Sequence, residues 1–554
     1  MRRRNFLKTG LGITAAASLP KGVWADVPDH MWQGYDFGCG PEVRNRLDQG
    51  PFGIGQDEGW YTIFVTDPSR EHIRNFGTGF VGYTWEENGP ALGVMCGRET
   101  LDQAVEKMAS LPFVDVLYIR CDWRDIQSGP GKLSLSPVWE ATFDAAKRHN
   151  LGVGFRIQLS SPNIEPQKLS LPDFLHDKVP IVNIGGKSKE HHTGHDFYEP
   201  RYDSPEFQKA FTELNELLAE RFDDNPQTEY MDLMIYGFWG EGHTNDLPSP
   251  FPDYLTAEKT LVHMTQLQID AWKRTPLAVN MEPDISNVGN RQLQDVAIRA
   301  GCWLRSDSLI MDEPIQIEEL AHRPPWLATI LEDGENRHYV LPEYADEEKA
   351  CLSKLPPSML AFVGNDNEAF PDDDYPHKIG GPIKVPYRET AGFHALDIGT
   401  SYFGLWTEAD NIRRYYEKYP DSVRAMEQRL GYRVRPSLIW QRKRYNTMEL
   451  ILGIVNDGVA GVPGVLGVYA ESLDGKVKIG GNLDAGEPRA GQLRQCSIIL
   501  PQGMDGQQIK LRAEIEVKGV RRPVRWACRQ PTNQDGSITI RLKKGSDSDW
   551  RKGV

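Results

Sequence analysis

Val114-Asp115-Val116-Leu117-Tyr118-Ile119-Arg120-Cys121-Asp122-Trp123 is an apolar run that ends on charge. Its β-branched and aromatic residues predict a strand, and its lack of strict alternation predicts one buried on both faces, as in a parallel sheet. Working outward, similar runs recur at Phe80–Trp85, Gly152–Leu159, Met231–Phe238, Leu277–Met281, Cys302–Ser306 and His338–Pro342. Either Leu360–Gly364 or Tyr402–Trp406 supplies the last. Amphipathic helices separate them. From Pro205 to Phe222 the residues Phe207, Phe211, Leu214, Leu217, Leu218 and Phe222 share one face at a period of 3.6. Ser136-Pro137 opens another helix, and Leu255–Trp272 and Asn290–Ala300 read the same way.

Strands alternating with helices over residues 77–428 predict an α/β fold, a (β/α)8 TIM barrel, with a doubly wound open sheet as runner-up. Gly77-Thr78-Gly79-Phe80-Val81-Gly82 matches a dinucleotide-binding glycine pattern but runs into a strand instead of opening a helix, so it is weak evidence for that ligand. After Gly431 the texture changes to short β-type runs: Tyr432–Lys443, Thr447–Asn456, Gly464–Glu471, Gln495–Leu500, Lys510–Val517 and Ser537–Leu542, parted by Gly, Asp and Asn. Residues 429–546 therefore predict a β-sandwich. Residues 26–76 form an N-terminal strap ahead of the barrel.

The 554 residues carry 63 Lys and Arg against 78 Asp and Glu, a net charge of −15. Such a balance argues against nucleic acid or an anionic membrane surface as partner. Outside the N-terminal segment no apolar run is long enough to span a membrane. Arg3-Arg4-Asn5-Phe6-Leu7-Lys8, a weakly apolar stretch, then Val23-Trp24-Ala25, resemble a twin-arginine signal peptide over residues 1–25, with export to the periplasm or beyond. The cysteines Cys39, Cys96, Cys121, Cys302, Cys351, Cys496 and Cys528 are dispersed, without a C-x-x-C pair. That argues against a disulfide framework or a zinc ribbon, with Cys496–Cys528 the one candidate pairing.

In a barrel of this kind the site lies at the carboxyl ends of the strands. Those ends carry Trp85, Arg120, Asp122, Arg156, Trp239, Glu241, His243, Asn280, Glu282, Arg305, Asp307, Glu343, Tyr344 and Trp406. Carboxylates and guanidinium groups bond hydroxyls, and indoles stack on pyranose faces, so the rim suits a carbohydrate substrate. Ile235-Tyr236-Gly237-Phe238-Trp239-Gly240-Glu241-Gly242-His243 resembles the strand-four ending of the clan A glycoside hydrolases, particularly the β-galactosidase-like branch with a C-terminal β-domain. Tyr118–Asp125 and Arg305–Leu309 are similar to that family's second and sixth strands, and Tyr339–Glu343 to its seventh. Gly240 stands where the family has an Asn that holds the sugar 2-hydroxyl, and Asp125 where it often has Glu.

The resemblance implies a retaining glycosidase on β-linked glycans, β-galactosides among them, with Glu241 as acid/base and Glu343 as nucleophile. Glu282 is the rival nucleophile. The other rim residues are read as substrate-binding: Trp85, Trp239 and Trp406 as sugar platforms, Arg120 and Arg156 as clamps on substrate or on a carboxylate. No cofactor and no metal is expected, although Glu190-His191-His192-Thr193-Gly194-His195-Asp196 is a weak metal candidate and Asn365–Glu368 with Asp372–Asp374 reads as a solvated acidic face. No G-x-S-x-G elbow points to an esterase. The rivals are a glycan-binding protein with a degenerate barrel, kept open by Gly240, and an inverting or metal-assisted hydrolase. Sugar, linkage and oligomeric state are not legible.

Overall fold

The structure is a computed structural model and describes residue 51 and residues 60–84, 92–161, 169–187, 192–244, 247–281, 291–307, 320–332, 345–354, 387–405, 408–418, 420–444 and 447–544. Gly79–Tyr83, Val114–Asp122, Gly152–Gln158, Thr228–Asp232, Leu277–Asn280, Trp303–Ser306, Thr329–Glu332 and Tyr402–Leu405 pair in that order, and the last pairs with the first. Every pairing is parallel. The closed ring removes the open-sheet alternative. Alternate residues face inward, so Val81, Tyr83, Val116, Tyr118, Tyr230, Trp303, Ile330 and Tyr402 fill the lumen. Residues of the opposite parity, such as Phe80, Leu117, Ile119, Phe155 and Ile157, pack under the helices.

The helix Pro205–Phe222 buries Phe207, Phe211, Leu214, Leu218 and Phe222 as the periodicity requires. Ser204 caps it by accepting from the Phe207 N–H at 3.3 Å. Pro137–His149, Tyr254–Ala271 and Arg291–Arg299 are also helical.

Two strand expectations are corrected. Barrel strand seven is Thr329–Glu332, eleven residues before the expected end at Glu343, and His338–Pro342 lies outside the described residues. Strand four is Thr228–Asp232, and the chain leaves the ladder before Tyr236. The eighth strand is Tyr402–Leu405, which decides between the two candidates for that place.

The C-terminal residues form two antiparallel sheets. One joins Val434–Arg444, Thr447–Asn456 and Leu493–Leu500, with Tyr61–Val65 as its outer strand. Part of the expected strap is thus a strand that pairs far along the chain. The other joins Val465–Ser472, Lys478–Asn482, Gln508–Val517, Val520–Val524 and Ile538–Arg541. Both sheets were legible, but Lys478–Asn482 and Val520–Val524 were too polar to be read as strands.

The C-terminal region meets the barrel at the amino ends of its strands. The Lys518 ammonium donates to the carbonyls of Trp272 (2.6 Å) and Thr275 (3.0 Å), just before strand five. The Tyr432 hydroxyl donates to the Phe76 carbonyl (2.8 Å) just before strand one. The carboxyl ends of the strands face away from these contacts. Cys96 and Cys351 form a disulfide across 255 residues, whereas Cys496 and Cys528 are buried free thiols. The candidate Cys496–Cys528 pairing does not form: Cys496 lies opposite Leu452 within a sheet, and Cys528 bridges to Pro68. Among the described residues, no helix is long and apolar enough to cross a membrane.

Candidate active site

Parity decides which charged side chains meet. Tyr118, Arg120 and Asp122 follow one another inward on strand two, as do Arg156 and Gln158 on strand three, Tyr230 and Asp232 on strand four, and Arg305 and Asp307 on strand six. Above the aromatic layer the lumen is therefore ionic. Arg156 reaches Asp232 through Nε (3.3 Å), Glu241 through Nη1 (3.2 Å) and Asp307 through Nη2 (2.8 Å). Arg305 bonds Asp307, Asp232 (3.3 Å), Glu332 (2.8 Å) and the Tyr83 hydroxyl (2.9 Å). Asn280 donates to Asp307 at 3.0 Å, and the Tyr118 hydroxyl bonds Asp232. With the Gln158 amide oxygen turned to Arg120 Nε (2.9 Å), its nitrogen donates to Asp122 (3.0 Å).

Glu241 caps this network. Its Oε1 is 3.1 Å from Arg120 Nη2 and 3.2 Å from Arg156 Nη1, and its Oε2 is 3.0 Å from His243 Nε2. Glu241 is 6% exposed and Arg156 is fully buried. Burial by itself would push Asp307 up, but Arg156, Arg305 and Arg120 hold its carboxyl well below the ordinary range. Glu332 goes the other way: burial and then the charge of Asp307 push it well above the ordinary range, against the pull of Arg305 and Arg120. Glu332 accepts from the Tyr83 hydroxyl at 2.6 Å through Oε2, while its Oε1 has no hydrogen-bond partner among the described residues.

The turn that carries Glu241 is tight. Gly237 (φ 88°), Trp239 (φ 56°), Gly240 (φ 72°) and Gly242 (φ 84°) are all left-handed. A side chain at Gly237 would place its Cβ 2.2 Å from the His243 carbonyl oxygen, so only glycine fits. At Gly240 a Cβ would lie 3.3 Å from Arg156 Cδ, so even Asn, which tolerates this φ, would crowd the arginine. The Trp239 carbonyl accepts from Arg156 at 3.3 Å, and its half-buried ring lies 5.6 Å from that of His243.

Of the expected residues the structure brings together Arg120, Asp122, Arg156, Trp239, Glu241, His243, Asn280, Arg305 and Asp307. Trp85, Glu282, Glu343, Tyr344 and Trp406 lie outside the described residues, as does His191. The sequence reading missed Tyr83, Tyr118, Asp232, Glu332 and Glu199. The first three were findable, since each stands two positions along a strand from another inward residue. Glu199 was not. It closes the hairpin of Ile181–Lys187 and His192–Pro200 inserted after strand three, and it accepts from the hydroxyls of Ser160 (2.5 Å) and Tyr202 (2.5 Å).

No family model matches the chain, and no curated protein matches it. Solved structures to which it is similar include endo-glycoceramidase II from Rhodococcus sp., 11% identical over 78% of this chain and 100% of that one, with a TM-score of 0.34. A glycoside hydrolase family 5 enzyme from Prevotella bryantii is 11% identical over 66% of this chain and 99% of its own, with a TM-score of 0.35. A xylanase from Cellvibrio japonicus is 7% identical over 60% and 86%, with a TM-score of 0.33. Likeness at this level carries no argument about the reaction. The ring of parallel strands stands on its own pairings, and function rests on the residues at its carboxyl end.

Proposed function

We propose that the chain is an exported retaining glycoside hydrolase acting on β-linked glycans or oligosaccharides, with β-galactosides as first candidates. The observation that carries this is Glu241, set on a left-handed turn above the barrel lumen and held by Arg120, Arg156 and His243. In this reading Glu241 is the acid/base, and Trp239 and His243 border the sugar. The nucleophile is Glu343, a short way beyond strand seven. Glu332 is the second reading for the other carboxyl group, because it ends strand seven itself and, among the described residues, leaves one oxygen without a hydrogen-bond partner.

Twin-arginine export supplies a folded protein to an oxidising compartment, and the disulfide Cys96–Cys351 suits that destination. The two C-terminal sheets are read as a β-sandwich domain. The alternatives are a glycan-binding protein without turnover, favoured by Gly240 in the place of an amide, and an inverting or metal-assisted hydrolase. Aryl glycosides and plant and marine polysaccharides, screened with the first-formed anomer followed by proton NMR, test the reading. Release of the β-anomer from a β-glycoside supports it, release of the α-anomer refutes retention, and binding without hydrolysis favours the binding protein.

A further inference from the structure

Glu199 is a buried acid that the reading above leaves unused. It is fully buried, and among the described residues no cation bonds it: its partners there are the hydroxyls of Ser160 and Tyr202. Burying an ionised carboxylate among neutral donors is expensive, so a group so placed needs a reason. The Tyr202 hydroxyl that donates to Glu199 also accepts from the Gly237 N–H at 3.4 Å, at the start of the left-handed turn. Within that turn the Phe238 N–H donates to the His243 carbonyl at 2.7 Å, and His243 bonds Glu241. Two residues before Glu199, Phe197 packs on Phe238 with ring centroids 5.3 Å apart. One hairpin strand thus grips the turn twice, once by an apolar contact and once through a carboxyl group.

We propose that Glu199 is a positioning residue, which fixes the Gly237–His243 turn through Tyr202 and sets the charge of His243 beside Glu241. This rests on the glycosidase reading for its consequence but not for its existence. Burial pushes the Glu199 carboxyl up to about 7, against the pull of Ser160, Tyr202 and the nearby His243. It therefore changes charge where an exported enzyme works. The charged and titratable groups around the pair are Tyr202 beside Glu199, and Glu241, Arg120 and Arg156 beyond His243. Above pH 7 an ionised Glu199 is a negative neighbour that favours the imidazolium of His243.

The test is a histidine NMR titration of the full-length protein, with the His243 signal assigned by its loss in His243→Asn. In Glu199→Gln the His243 midpoint should fall by about half a unit or more, because a negative neighbour is gone. Tyr202→Phe keeps the carboxyl group and cuts its link to the turn. It should lower the melting temperature modestly through the lost buried hydrogen bond, and lower kcat with KM little changed on any substrate found. An unchanged His243 midpoint in Glu199→Gln, or full kcat in Tyr202→Phe, overturns the proposal. If wild type hydrolyses no glycoside, the functional reading fails while the titration still decides the role of Glu199.

Discussion

Glu241 meets two arginines and an imidazole, and its assigned role separates it from Glu343 in a way kinetics can read. Glu343→Ala should abolish turnover on every substrate, since no covalent intermediate can form. Glu241→Ala should still be glycosylated by an aryl glycoside with a good leaving group, then stall without a general base. Azide should rescue Glu241→Ala with a β-glycosyl azide and Glu343→Ala with the α-azide, resolved by NMR of the product. If instead Glu332→Ala gives the α-azide and Glu343→Ala is active, the nucleophile is Glu332. A second residue-scale expectation follows from Glu199. Its carboxyl at about 7 lies above the ordinary 4.5 of a glutamate, so the native state keeps a proton that the unfolded chain loses. Stability then falls as pH rises from about 4.5 to about 7, and the full cost is present above that window. Glu199→Gln should raise stability on the order of 3 kcal/mol at pH 8 and change it little at pH 4, as denaturant titrations at the two values will show.

At the scale of one element, the turn from Gly237 to Gly242 decides whether the site exists. Of its four left-handed residues three are glycines that take this φ freely, and Trp239 bears the strain, held there by the hairpin, Arg156 and His243. Gly237→Ala sets a Cβ against the His243 carbonyl, so it should cost more than about 2 kcal/mol and remove activity beyond what the stability loss explains. Gly240→Asn is the sharper probe, because its backbone is tolerable and only Arg156 stands in the way. It should bind substrate less well through a displaced Arg156, measured as a raised KM. A lowered KM would instead say that the amide finds a sugar hydroxyl.

For the whole molecule the disulfide and the N-terminal strand tie distant parts together. Cys96–Cys351 closes a long loop, and the chain-entropy account gives it up to about 5 kcal/mol. Dithiothreitol or Cys351→Ala should therefore lower the melting temperature by several degrees in calorimetry; no change would mean the helix Ala345–Leu352 is held without it. Tyr61–Val65 covers Leu438–Gln441, and its removal exposes a sheet edge. The buried ionic lumen belongs to this scale too. Three arginines share Asp232, Asp307, Glu241 and Glu332, and taking away one acid leaves its arginine with fewer counter-charges in a medium that solvates it poorly.

What the amino-acid sequence by itself determined is the barrel and most of its charged rim. Runs such as Val114–Asp122 are apolar on both parities because a parallel strand is buried on both faces, and that pattern survives without any knowledge of neighbours. Arg120, Arg156, Glu241, Arg305 and Asp307 were legible because strand ends can be read from the same runs. Tertiary structure alone decided the rest. Thr329–Glu332 takes the seventh place through its parallel pairing with Trp303–Ser306 on one side and Tyr402–Leu405 on the other. Tyr61–Val65 and Glu199 depend on partners distant in the chain or on an inserted hairpin. The pairing of charges across the lumen follows from ring closure, which brings strands two, three, four, six and seven within reach of one another, a proximity that no local spacing encodes.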